Sequence, residues 1–73
     1  MRVLIAEDQS RLAKSITKGL VHQGFAVDHF ANGDEAVEHI ILHHDSYDAL
    51  ILDLMLPGRS GLDICRSVRE RGI

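Results

Sequence analysis

Three carboxylates stand out in this chain for the company they keep. Glu7 and Asp8 close a branched apolar run, Val3-Leu4-Ile5-Ala6, and Asp53 interrupts the most apolar stretch, Ala49-Leu50-Ile51-Leu52-Asp53-Leu54-Met55-Leu56. An aspartate set among leucines suffers a desolvation cost that packing does not recover, so a functional role explains Asp53 better than a structural one. Acids after a short apolar run often only solvate a loop, which is the plainer reading of Glu7 and Asp8 taken alone. Brought together, the three have more to do. Converging like charges repel and take up protons unless a cation neutralises them, and hard oxygen donors with open positions suit Mg²⁺.

The elements that must position these groups follow from apolar periodicity. Val3 to Ala6, continuously apolar, reads as a strand buried on both faces. Leu12, Ala13, Ile16 and Leu20 recur at helical spacing from Ser10 to about His22, with Ser10 as the N-cap. Gly24 stops that helix, and Phe25 to Phe30 reads as an edge strand that tolerates Asp28 and His29. Asn32-Gly33-Asp34-Glu35 turns into a second helix with acids in its first turn and an apolar face of Ala36, Val37, Ile40 and Ile41. After a loop at Asp45 to Asp48, the third strand is expected from Ala49 until Pro57-Gly58 ends it. Ser60-Gly61 then opens a last helix with Leu62, Ile64, Cys65 and Val68 on its apolar face.

The order βαβαβα implies parallel strands joined by right-handed crossovers, an α/β layered fold. Ligands of such sheets bind beyond the carboxyl ends of the strands, where Glu7, Asp8 and Asp53 lie; if the first and third strands are neighbours, the three carboxylates converge. One tension is built in. The first and third strands both read as central, yet a sheet of three parallel strands has room for a single central one.

Composition narrows the function classes. The chain has 73 residues, enough for one small domain, with 45% hydrophobic and 26% charged residues, as in a folded globular chain. Eight Lys and Arg against eleven Asp and Glu give a net charge of −3, which argues against direct nucleic-acid binding. No apolar run approaches the roughly 18 residues of a membrane span, and Glu7 follows Met1 too soon for a signal peptide. The single cysteine, Cys65, excludes an intramolecular disulfide and suits a reducing cytoplasm. On the apolar face it reads as a packed thiol. Adjacent His43 and His44 point apart on a helix and read as solvated, His22, His29 and His39 form no recognised ligand spacing, and the helix-borne Lys and Arg residues read as solvated faces.

Met1 to about Ile73 resembles the first three βα units of the receiver domain of bacterial response regulators, most closely the transcription-factor branch that includes OmpR and PhoB. The residues that carry the resemblance are Val3-Leu4-Ile5-Ala6-Glu7-Asp8, Gly24-Phe25-Ala26-Val27 with Ala31-Asn32-Gly33, and Tyr47 through Gly58 with Gly61-Leu62 after it. It implies a flavodoxin-like receiver fold truncated to three βα units, with strand order 2-1-3. It implies that Asp53 is the phosphoacceptor of a two-component system, phosphorylated by a sensor histidine kinase. It further implies that Glu7, Asp8 and Asp53, with the backbone carbonyl of Met55, hold Mg²⁺.

A complete receiver adds two further βα units, which bring a Ser or Thr and a Lys to the site and form the usual dimerisation face. These residues hold no counterpart of them, and Ser60 stands where an aspartate is common. The expectation is a signalling module with impaired phosphotransfer and readout, whose relatives bind DNA through a domain outside this chain. Its third strand becomes an open edge with an uncovered sheet face. Since a core this small rarely supplies more than about 3–5 kcal/mol, a homodimer through that strand is expected. A non-signalling fragment that self-assembles by the same edge is the competing reading. A phosphohydrolase with an aspartyl nucleophile is disfavoured because Met55 stands where a second aspartate is usual, so the chain is not read as an enzyme.

Overall fold

A computed structural model describes residues 1–72, and its centre is the strand β1 (Arg2–Ala6). Branched Val3, Leu4 and Ile5 with Ala6 are all buried, because both edges of β1 are hydrogen-bonded and both faces are covered at that point. β2 (Ala26–Phe30) and β3 (Ala49–Leu52) flank it in parallel, giving the order β2-β1-β3. The register pairs Val3 with Val27 and Ala6 with Phe30 on one side, and Leu4 with Leu50 and Ala6 with Leu52 on the other. The tension between two central strands is thereby settled: β1 is central, and β3 lies at an edge with Ile51 39% exposed.

Alternation along the strands divides the core into two layers. Leu4, Ala6, Leu50 and Leu52 face α2 (Gly33–His43) and α3 (Gly61–Glu70), packing with Ala36, Val37, Ile40, Ile64 and Val68. On the opposite face α1 (Ser10–His22) packs on the β2 side, with Val3 and Ile5 buried, and leaves Ile51 of β3 exposed. Only Ala13 of α1 is fully buried, and Leu12, expected on its apolar face, is 46% exposed.

Local chemistry sets most boundaries. The Asn32 side chain caps α2, its Oδ1 accepting from Asp34 N at 2.8 Å and Glu35 N at 3.4 Å, and Ser60 Oγ caps α3 by accepting from Asp63 N at 3.2 Å. At α1 the expected cap is off by one residue. Gln9 is the N-cap, since its carbonyl accepts the first helical bond from Ala13 N, and Ser10 is already helical; no side chain caps this end. The loop after α2 contains one 3₁₀ turn, His44–Ser46. There Tyr47 Oη donates to Asp28 at 2.6 Å while Arg2 grips both oxygens of Asp28 at 3.0 Å, tying β1, β2 and the approach to β3 together.

The third strand is shorter than its apolar run. It ends at Leu52 instead of extending toward Pro57, because Asp53 N makes the last bond to Ala6 O (2.9 Å) and Asp53 Oδ1 then turns the chain by accepting from Met55 N (3.2 Å). Leu54 and Met55 point to solvent, and Leu56 returns to the core. On α3, Ile64 and Val68 are buried as expected, whereas Leu62 and Cys65 are exposed. Cys65 borders an open groove beside Leu50 and Leu52 at the β3 edge, so the expected packed thiol has nothing packed over it.

Candidate acidic site at the strand ends

The site lies where β1 and β3 end. Glu7 N donates to Phe30 O at 3.0 Å, and the Glu7 carbonyl accepts from His29 Nε2 at 2.7 Å, so β2 holds the residue after β1 by two bonds. Asp53 is held from the other side by its bond to Ala6 O. Extending the β1–β3 register, in which Ala6 faces Leu52, by one residue sets Asp53 beside Glu7. Asp8 follows at once. Carboxylate oxygens of Glu7, Asp8 and Asp53 all lie within 4.8 Å of one another, so the convergence expected from the sequence is met.

Burial within the trio differs from expectation. Asp53, expected to be desolvated inside a strand, is half-buried at a strand end; the buried carboxylate is Glu7, at 6% exposure. Its acidity responds. A hydrogen bond shared with Asp53 holds the Glu7 carboxyl above the usual glutamate range, and burial and the charges of Asp53 and Asp8 push the same way. Asp53 moves down, first through the same hydrogen bond and then through the backbone N–H groups of Met55 and Leu54. The pair is thus asymmetric, with the Glu7 carboxyl shifted up and the Asp53 carboxyl shifted down by the same contact.

Three carboxylates crowded within 4.8 Å repel one another, and a hard divalent cation between them relieves that repulsion. Mg²⁺ takes hard oxygen ligands and keeps several waters, and the carboxylate oxygens of this trio are donors of that kind. Met55 presents its side chain to solvent at 84% exposure and its backbone N–H to Asp53 Oδ1.

Two glycines and an ion pair position the loop that carries Asp53. A Cβ on Gly61 would stand 2.3 Å from the Asp53 carbonyl oxygen, so the first turn of α3 rests directly on the Asp53 backbone. Gly33 N donates to Pro57 O at 2.9 Å, and a Cβ there would meet the Arg59 backbone. Arg59 also bridges to Asp34 at 3.4 Å and donates to Ser67 at 3.2 Å, joining this loop to α2 and α3. Sequence reasoning missed His29, Gly33 and Gly61 as contributors, because their partners are distant carbonyls that no local pattern announces.

The sequence matches the family model of the response regulator receiver domain over residues 3–73. This chain belongs to that family. The receiver domain is 41% identical to the transcriptional regulatory protein DltR of Streptococcus agalactiae over 73 residues, 100% of this chain and 32% of the relative. To QseB of Escherichia coli O157:H7 it is 46% identical over 72 residues, 99% of this chain and 32% of the relative. The response regulator TrrA of Thermotoga maritima, crystallised with Mg²⁺-BeF, matches it with a TM-score of 0.87 and 30% identity, covering 96% of this chain and 59% of that one. TrrA in complex with the histidine kinase ThkA matches with a TM-score of 0.82 at 30% identity and the same coverage, 96% and 59%. The receiver domain thus spans about a third of the length of these curated relatives. Its parallel sheet and helices follow the receiver architecture, and among the described residues no helix is long and apolar enough to cross a membrane.

Proposed function

We propose that this chain is the phosphoacceptor part of a two-component signalling protein, with Asp53 accepting a phosphoryl group from a sensor histidine kinase. The observation that carries the reading is the meeting of Glu7, Asp8 and Asp53 within 4.8 Å at the carboxyl ends of adjacent parallel strands. Glu7, Asp8, the Asp53 side chain and the Met55 carbonyl would hold Mg²⁺. When bound, that ion neutralises the charge on the equatorial phosphoryl oxygens in the loose transition state of phosphoryl transfer. Asp53 supplies the nucleophile: a carboxylate oxygen bonds to phosphorus, the bond from phosphorus to the kinase histidine nitrogen breaks, and the departing imidazole keeps the electron pair and takes a proton from solvent. The backbone bonds from Ala6 and Met55 and the packing of Gly61 keep Asp53 aimed. The role is stoichiometric acceptance in the cytoplasm, with no DNA contact assigned to these residues.

Native mass spectrometry with Mg²⁺, before and after a small acyl-phosphate donor, tests this. One added phosphoryl group in the parent chain and none in Asp53→Asn is the expected result; labelling that persists in Asp53→Asn overturns it.

A second reading concerns the 73-residue chain on its own and rests on β3. Its outer edge is unpaired in this sheet, and Ile51 is exposed on the face that α1 leaves open. An apolar edge of this kind recruits another strand, so the isolated chain forms a homodimer through β3. Sedimentation velocity at micromolar concentration shows a dimer that Ile51→Lys weakens; a folded monomer in the parent chain refutes it.

A further inference from the structure

We propose that α2 carries a second metal site, a chelating pair made by His39 and His43, which takes a borderline divalent ion such as Ni²⁺ or Zn²⁺ in preference to Mg²⁺. The two histidines are four residues apart, one helical turn, and lie on the same stripe of α2. Their ring centroids are 4.6 Å apart with the planes at 42°. This is the spacing by which two helical histidines grip one ion from a single face. The residue after His39 is Ile40, so the pair lacks the adjacent glutamate that would act as a general base, and the function is binding alone.

The surroundings favour one ring as a fixed post and the other as a movable arm. Half-buried His39 is held by Phe30, with ring centroids at 4.9 Å, and by Tyr47 at 5.9 Å. His43 is exposed at the last residue of α2, with solvent around its ring in which to turn toward His39. Both line a cleft of about 280 Å³ with Asp28 and Tyr47, wide enough for an ion and the waters that complete its coordination. Among the described residues that line this cleft, Arg2 carries the fixed positive charge, and Asp28 neutralises it through two 3.0 Å bonds. Beyond the far edge of His39, Glu35 and Glu38 add negative potential.

Donor chemistry separates this site from the carboxylate trio. Imidazole nitrogen suits Zn²⁺, Ni²⁺ and Cu²⁺, whereas Mg²⁺ requires hard oxygen ligands. One small domain therefore sorts two classes of cation: Mg²⁺ at the carboxyl ends of the strands, and a transition metal beside Arg2 at the start of β1.

The test is a Ni²⁺ titration of the full 73-residue chain with Cys65→Ser, under saturating Mg²⁺, followed by ¹H–¹⁵N NMR. Paramagnetic broadening at substoichiometric Ni²⁺ is expected first at the amides from His39 to Ser46. His43→Gln, an exposed change that leaves the core intact, weakens binding about tenfold or more and removes that focus. Broadening centred on Glu7, Asp8 and Asp53, or an unchanged Ni²⁺ affinity in His43→Gln, overturns the proposal.

Discussion

Replacing Gly61 by alanine tests whether the first turn of α3 positions Asp53. In a helix, Gly→Ala is ordinarily favourable by up to about 1 kcal/mol. Here the added Cβ would stand 2.3 Å from Asp53 O, 2.8 Å from Asp53 C and 3.3 Å from Leu52 Cβ. Ordinary contact begins near 3.4 Å, so helix and strand end must part by about 1.1 Å, the difference between 3.4 and 2.3. Neither side yields freely: α3 is anchored by buried Ile64 and Val68 and by its Ser60 cap, and Asp53 N is bonded to Ala6. Overpacking of this kind costs about 1–3 kcal/mol. Gly61 is the first residue of α3, where the helix gain is small, so a net loss of about 1–2 kcal/mol follows, which lowers Tm by about 5–15 °C in a domain this small. Because the displaced atom belongs to the proposed acceptor residue, acyl-phosphate labelling of Asp53 is expected to slow by roughly 10–100-fold. Gly19→Ala is the matched control. Nothing lies within 4 Å of its Cβ in the interior of α1, so there the same change stabilises by about 0.5–1 kcal/mol. Urea unfolding by circular dichroism and labelling followed by intact mass read both effects. A Gly61→Ala chain that gains stability as Gly19→Ala does, or labels at the parent rate, refutes the positioning role.

Three further outcomes follow from the same geometry. Glu7 holds its proton more tightly when folded, so its ionisation opposes folding increasingly as pH rises from the usual glutamate range through its raised folded value. Glu7→Gln accordingly raises Tm at neutral pH without Mg²⁺ and abolishes the Mg²⁺-dependent rise in Tm; a lower Tm in Mg²⁺-free buffer contradicts this. Tyr47→Phe removes the 2.6 Å bond to Asp28 and costs about 1–2 kcal/mol at neutral pH. That bond and Arg2 depress the Asp28 acidity, so the cost is present above the usual aspartate range and shrinks as pH falls through the depressed value, which urea melts across pH 2–7 reveal. Asn32→Ala leaves Asp34 N and Glu35 N uncapped and costs about 1 kcal/mol in the same melts.

What could be read from the sequence divides by the range of the interactions involved. β1 and α2 were legible because their signals are local: a continuous branched run for the first, an Asn-Gly cap with acids behind it for the second. The far end of β3 was not. Leu54, Met55 and Leu56 are equally apolar in a paired strand or a turn, and the choice was made by the two bonds of Asp53, one to a residue 47 positions away. Leu12, Leu62 and Cys65 illustrate a second limit. Periodicity identifies the face a helix offers, but exposure depends on whether another element stands opposite. The carboxylate trio was identified from its types and positions, while the inversion of burial between Asp53 and Glu7 required knowing where the strand stops.

The acidic site depends on core packing more directly than its exposed position implies. Its members come from two chain segments, and what brings them together is the β1–β3 register. That register is set by side chains that take no part in the chemistry: Leu50 and Leu52 point into the layer shared with Ile40, Ile64 and Val68, while Ile51 points away. A slip of one residue would turn both leucines out of the core and move Asp53 from beside Glu7 to beside Ala6 or Asp8, on the wrong face of the sheet. The apolar alternation that stabilises β3 is thus also what fixes the spacing of the carboxylates. Glu7 adds the reverse coupling, since a buried carboxylate against Asp53 and Asp8 weakens the fold at neutral pH until a proton or a cation relieves it. Fold stability and the charge state of this site are therefore linked through one residue, Glu7, which the β1–β3 register holds against Asp53.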